Sequence, residues 1–166
     1  SAAARGSAYH TVLEHLDVCR ARAEGKSYVE ALLQKLTERE VLFAPEAAAV
    51  DGERILAFAA SELGGRLAAS RAVYRERAFN MITEYEGRRL MVQGVIDCYF
   101  EEEDGLVLLD YKTGNAADAR LGRDEKIAAK YRTQIELYRQ ALEEASGRRV
   151  KEAYLYLTDA GRFIAM

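Results

Sequence analysis

The sequence predicts an α/β fold, a mixed β-sheet flanked by helices and preceded by a helical N-terminal part. Three observations carry that expectation. Through roughly the first 70 residues, apolar side chains recur at helical spacing. From Arg71 the pattern changes to strand-like apolar runs separated by turn residues. A long helical stretch at 124–146 then separates this meander from a further apolar run at 150–157. A strand reached through a helix returns parallel to a meander strand by a right-handed connection, which makes the sheet mixed and the order αβββαβ.

Residues 2–19 predict the first helix, with Tyr9, Val12, Leu13 and Leu16 on one face. Gly25 breaks the chain, and Ser27 with Glu30 has the spacing of a capping box for a second helix that turns Leu32, Leu33 and Leu36 inward. Gly25-Lys26-Ser27 is not a phosphate loop, because the glycine required five residues earlier is Arg20. Pro45 starts a short alanine-rich helix. Asp51 caps another over 52–63, closed by Gly64-Gly65. Strands follow at 74–82 and 90–100, around a turn at Glu86-Gly87, and at 106–112. Residues 115–122 read as loop. Gly147 ends the long helix, and a last short strand at 162–164 follows the turn Asp159-Ala160-Gly161.

The length of 166 residues suits one domain with a core, and 49% hydrophobic with 31% charged residues is the mixture of a folded chain rather than a disordered one. No apolar run approaches the roughly 18 residues of a membrane span. The opening SAAARGSAYH lacks the pattern of a secretory leader, and the missing initiator Met reads as an excised or processed piece. Cys19 and Cys98 lie far apart, so neither a Cys/His zinc site nor an iron–sulfur cluster is expected. Free thiols fit a reducing cytoplasm. The net charge of −3 argues against a freestanding nucleic-acid binder. Basic residues are nevertheless locally dense at Arg71, Arg75 and Arg77, at Arg88 and Arg89, and from Arg120 to Arg132.

The stretch 94–113, GVIDCYFEEEDGLVLLDYKT, is the centre of the chain. Two apolar runs flank an acidic turn ending in Asp-Gly, a strong hairpin signal. Asp110 and Lys112, two apart on a strand, share a face. A two-residue loop at Asp104-Gly105 sets Asp97 opposite Lys112 and roughly 7–8 Å diagonal from Asp110. A loop spanning 102–105 sets Asp97 opposite Asp110. Either register gathers two carboxylates and an amine on one face, as a buried ion pair or as a site for a cation.

Aspartate, a hydrophobic strand and then Asp-Tyr-Lys-Thr resembles the PD-(D/E)XK (restriction-endonuclease-like) nuclease core in its RecB-like variant, with greatest similarity to the nuclease domain of AddA-type bacterial helicase/nucleases. The resemblance spans most of the chain. It implies a single nuclease domain over 1–166, with 1–70 carrying the first active-site helix and 71–166 the catalytic core. It implies a DNA exonuclease using Mg²⁺, with Mn²⁺ compatible with an imidazole ligand. Asp97, Asp110, the Tyr111 carbonyl and His10, which follows Gly6 at the family spacing, are the implied ligands. Lys112 would orient or deprotonate the attacking water, or stabilise developing charge. Gln134 and Tyr138 match the family's QxxxY pair beside the lysine and the DNA path; a satisfied core amide is the other reading of Gln134. Glu76 is either a site residue or a surface carboxylate paired with arginine, and Ala78 stands where the family usually has proline. The implied partners are single-stranded DNA ends fed by a helicase, the remainder of an AddA-like motor and a second subunit, with no membrane and a cytoplasmic location. A catalytically silent DNA-binding or scaffolding module, and a phosphoesterase acting on another substrate, are the competing classes.

Overall fold

The computed structural model describes residues 2–166, so Ser1 of the expected domain lies outside the described residues. The chain runs α1 (Ala2–His15), α2 (Val18–Glu24), α3 (Lys26–Glu38), α4 (Ala44–Ala48), α5 (Gly52–Ala60), α6 (Glu62–Ala69), β1 (Val73–Tyr85), β2 (Arg88–Glu102), β3 (Gly105–Lys112), α7 (Ala116–Arg120), α8 (Asp124–Ser146), β4 (Val150–Leu157) and β5 (Arg162–Ala165). The strands form one sheet in the order β1-β2-β3-β4-β5. Only β3 and β4, joined through α8, pair in parallel. The expected mixed α/β sheet is borne out.

Alternation along the strands sorts the core into two layers. Val107, Leu109 and Tyr111 of β3 join Cys98, Phe100 and Tyr156 against the N-terminal helices, where Val12, Leu13, Ile55 and Phe58 are buried. Leu106 and Leu108 turn to the opposite face and pack with Ile96, Leu155 and Leu157 under Ile127, Ile135 and Leu142 of α8. Buried on both faces, β3 is apolar until Asp110 and Lys112, where the chemistry changes.

The β2–β3 register is that of the longer-loop alternative: Cys98 pairs with Leu109 and Glu101 with Leu106. Pairing continues to Glu102↔Gly105, so Glu103 and Asp104 make the turn. Four expectations are corrected. The first helix breaks at Asp17, whose side chain accepts from Arg20 N at 3.0 Å to cap α2. The Ser27 capping box does not form: Ser27 Oγ donates to Glu24 O and α3 starts at Lys26. Gly64-Gly65 do not end a helix but lie inside α6, which Ser61 caps. A methyl at Gly64 would sit 2.4 Å from the carbonyl oxygens of Phe58 and Ala59, so glycine there permits the tight α5–α6 elbow. The loop after β3 contains the short helix α7. No helix among the described residues is long and apolar enough to cross a membrane.

Candidate active site

The site forms where β2 leaves β3. Ladder pairing stops at Cys98↔Leu109. One residue on, the Asp97 carboxylate accepts the Tyr111 N–H through Oδ2 at 2.7 Å. A side chain thus takes a ladder hydrogen bond, and the strands part beyond it. The other neighbour of β2 supplies Glu76, which falls between the pairs Arg75↔Cys98 and Arg77↔Ile96. Its φ of 49° is left-handed, an uncommon and costly conformation for a glutamate in a strand.

Helix α1 brings His10 to this fork, anchored by the buried Tyr9 and Leu13 beside it. His10 Nε2 lies 3.1 Å from the Tyr111 carbonyl oxygen and Nδ1 3.2 Å from Asp97 Oδ1. A methyl at Gly6 would sit 3.7 Å from Thr113, an ordinary contact, so the approach of α1 does not require that glycine. His15 is exposed, its Nδ1 on the Thr11 carbonyl of its own helix. One ligand atom each from His10, Glu76 and Asp97 lies within 4.8 Å of the others, a cluster that could hold a metal ion.

The electrostatics fit a cation there. Burial and the negative charge of Asp97 raise the Glu76 carboxyl. Burial and Asp97 push Asp110 up to about 6, against the opposing charge of Lys112. Burial lowers the His10 imidazole, but its hydrogen bond to Asp97, the charge of Asp97 and the Tyr111 carbonyl outweigh that, and the net shift is upward. Glu76 Oε1 and Asp110 Oδ2 are buried without an aligned hydrogen-bond donor. Acceptors therefore exceed donors at the fork, the condition a divalent cation relieves.

Lys112 closes the other side. Its Nζ is 2.7 Å from Asp110 Oδ2 and donates to Gln134 Oε1 at 2.7 Å. Gln134 Nε2 donates to the Tyr138 hydroxyl at 2.8 Å. Tyr138 is met edge-on by Phe79, whose ring lies over Gly94 where a methyl would come within 2.8 Å of it. The amide of Gln134 is thus satisfied by the lysine and the tyrosine. His10, Glu76 and Asp97 form one cluster, which Tyr111 joins through its N–H and carbonyl, while Asp110 pairs with Lys112, and Gln134 and Tyr138 extend from that lysine. Among the basic groups, Arg75 donates to Leu16 O, and Arg123 and Lys126 pair with Asp118. Two residues were not singled out from sequence: Tyr131, whose ring lies 4.6 Å from Lys112 Nζ, and Asn115, hydrogen-bonded to its hydroxyl. Tyr131 falls at helical spacing with Ile127, Ile135 and Leu142, so in the sequence it reads as one more member of an apolar stripe along α8.

The family model of the PD-(D/E)XK nuclease superfamily matches residues 1–164. The chain belongs to that superfamily. It is 42% identical over 171 residues to an ATP-dependent helicase/nuclease subunit of Pelotomaculum thermopropionicum, covering 97% of this chain and 13% of that protein. Proteins of the same name from Alkaliphilus oremlandii and Geobacillus kaustophilus are 37% and 39% identical, covering 100% and 99% of the chain. The chain spans about 13–14% of the length of these relatives.

Proposed function

We propose that the chain is one metal-dependent DNA exonuclease domain, 1–70 supplying the helix that bears His10 and 71–166 the catalytic core. It acts within a cytoplasmic helicase/nuclease of AddA type, in double-strand break repair and recombination, on an unwound strand delivered by the motor and its second subunit. The observation that carries this reading is the meeting of His10, Glu76, Asp97, Asp110 and Lys112 at the β2–β3 fork with more acceptors than donors.

Asp97, Asp110, His10 and the Tyr111 carbonyl would hold Mg²⁺ or Mn²⁺, with Glu76 beside them. When bound, such an ion polarises a phosphoryl oxygen and makes water more acidic. The chain's own work falls to Lys112. An ammonium cannot ligate a cation, so Nζ serves the reaction by donating: to the attacking water, which it orients, or to the phosphate as charge develops. Gln134 accepts one of its three N–H groups and Asp110 lies 2.7 Å from Nζ, which leaves at least one donor for water or phosphate.

The test is incubation of the chain with end-labelled single-stranded DNA and Mg²⁺ or Mn²⁺. Cleavage should require the ion, stop on chelation and be absent in Asp110→Ala. Intact DNA throughout, with a folded protein, would overturn the reading in favour of a silent DNA-binding or scaffolding module.

A further inference from the structure

Where the flexible four-carbon stem of Lys112 stops decides what its ammonium can reach. Two groups hold it: Gln134 accepts a hydrogen bond from Nζ, and the Asp110 carboxylate pairs with it as an opposite charge at 2.7 Å. A third contact is of another kind. The Tyr131 ring lies 4.6 Å from Nζ by its centroid, within the range of a cation–π interaction. That ring is itself held. Its hydroxyl exchanges hydrogen bonds with the Asn115 side chain, Nδ2 at 3.3 Å and Oδ1 at 3.4 Å. Asn115 is one of few buried polar residues, 6% exposed, and its amide is turned to this tyrosine. The lysine is therefore seated against a ring locked from behind by a residue of the turn that follows β3.

We propose that Tyr131 is a positioning residue for Lys112: its ring, rather than its hydroxyl, keeps the ammonium between Asp110 and Gln134, and Asn115 keeps the ring in place. The proposal rests on the nuclease reading above. A π face attracts the ammonium without occupying any of its three N–H donors, so it restrains Nζ while leaving donors for substrate. A second carboxylate at that place would hold the lysine too, but would spend a donor and neutralise the charge.

Two measurements on the whole chain test this. In NMR spectra, the ε-methylene protons of Lys112, assigned by their loss in Lys112→Arg, should be displaced upfield by the ring in the parent and in Tyr131→Phe, and lie at the ordinary position in Tyr131→Leu. In single-turnover cleavage of single-stranded DNA with Mg²⁺, Tyr131→Leu should be roughly 3- to 30-fold slower, the range of a cation–π contact of this kind. Its DNA affinity and melting temperature should stay near the parent's. Tyr131→Phe, which keeps the ring but loses its hydrogen bonds to Asn115, should fall between the parent and Tyr131→Leu. In a Lys112→Ala background, Tyr131→Leu should cause no further loss. If Tyr131→Leu melts early, Tyr131→Met takes its place. Tyr131→Phe as slow as Tyr131→Leu, or an equal loss in the Lys112→Ala background, would overturn the proposal. An undisplaced Lys112 signal in an active parent overturns the contact alone. A parent that cleaves nothing overturns the nuclease reading, and with it the catalytic purpose of the contact.

Discussion

The two ends of β3 carry the same kind of residue in opposite circumstances. At the Gly105 end, Glu102 of β2 and Glu152 of β4 share the guanidinium of Arg66, with contacts of 2.8 and 2.5 Å. Lys151 joins Glu102 at 2.5 Å, and Arg148 takes Glu101 at 3.0 Å. The Arg66 hydrogen bonds hold both Glu102 and Glu152 down at about 2. At the Lys112 end, burial and mutual repulsion drive Asp110 up to about 6 and Glu76 upward as well. Carboxylates that the protein neutralises from its own side chains tie the sheet to its neighbours. Those at the Lys112 end include Glu76 Oε1 and Asp110 Oδ2, buried without an aligned donor, which is the feature on which the proposed cation site rests.

The sharpest way to break that comparison is to delete single groups at the open end. Asp97→Ala should lose divalent-ion binding and cleavage together. Lys112→Ala should keep the ion, by calorimetric titration, yet cleave slower by about 10²–10⁴, the usual cost of a positioned acid–base or electrostatic group. Equal loss of metal in both variants would make Lys112 an organiser of the acids rather than a participant in the reaction.

Stability against pH separates the two ends by sign. The folded-state pKa of Asp110 lies above its ordinary value of 3.8, so the folded chain binds this proton more tightly than the unfolded chain does. Its contribution is greatest below about pH 4 and is lost as pH rises through about 6. Asp110→Asn should therefore stabilise the metal-free protein at pH 7, by about 1–3 kcal/mol in chemical denaturation, while abolishing metal binding. A destabilised Asp110→Asn would mean that Lys112 already neutralises the site. For Glu102 and Glu152 the sign reverses. Their pKa values are depressed, so their stabilisation is present above the ordinary 4.5 and lost as pH falls toward 2. Arg66→Met should cost about 1–2 kcal/mol, a modest figure because these groups are partly exposed and screened. Its cleavage rate, measured well below its melting temperature, should match the parent's.

The smallest effect concerns the backbone of Glu76. Glycine accepts a φ of 49° freely and alanine does not. Glu76→Gly should be more stable than Glu76→Ala by about 0.5–1 kcal/mol, with both equally impaired in binding Mn²⁺. The reverse order would show that the strand relaxes once the carboxylate is gone.

The strands were legible because apolar runs and turn dipeptides such as Glu86-Gly87 are local signals; both residues of that turn adopt left-handed φ. Strand periodicity placed Asp110 and Lys112 on one face, and an even-length hairpin loop added Asp97 to it. The fork itself was not legible, since it comes from a side chain, Asp97, taking the amide of Tyr111 fourteen residues away. Ser27 and Gly64 misled for a related reason. Each carries a local signal for a helix end, but Gly25 already starts α3 and the α5–α6 elbow needs Gly64 for its closeness. Tyr131 fits the stripe of α8 as well as a leucine would. Its partner arrives from β3, and no periodicity in one helix reports what a distant strand sets against it.

The pairing of His10 with Tyr111 closes a loop of 101 residues, and that of Lys112 with Gln134 spans 22 more. On a ribosome these groups emerge in that order. A nascent chain that has finished β3 owns its acids and its histidine, but Lys112 has no amide or ring to rest against until α8 is made and docked. Closure of such long loops is also the slow part of folding. A product broken off before α8 would carry the acids and the histidine without Gln134 and Tyr131, the amide and ring that Lys112 meets in the folded chain.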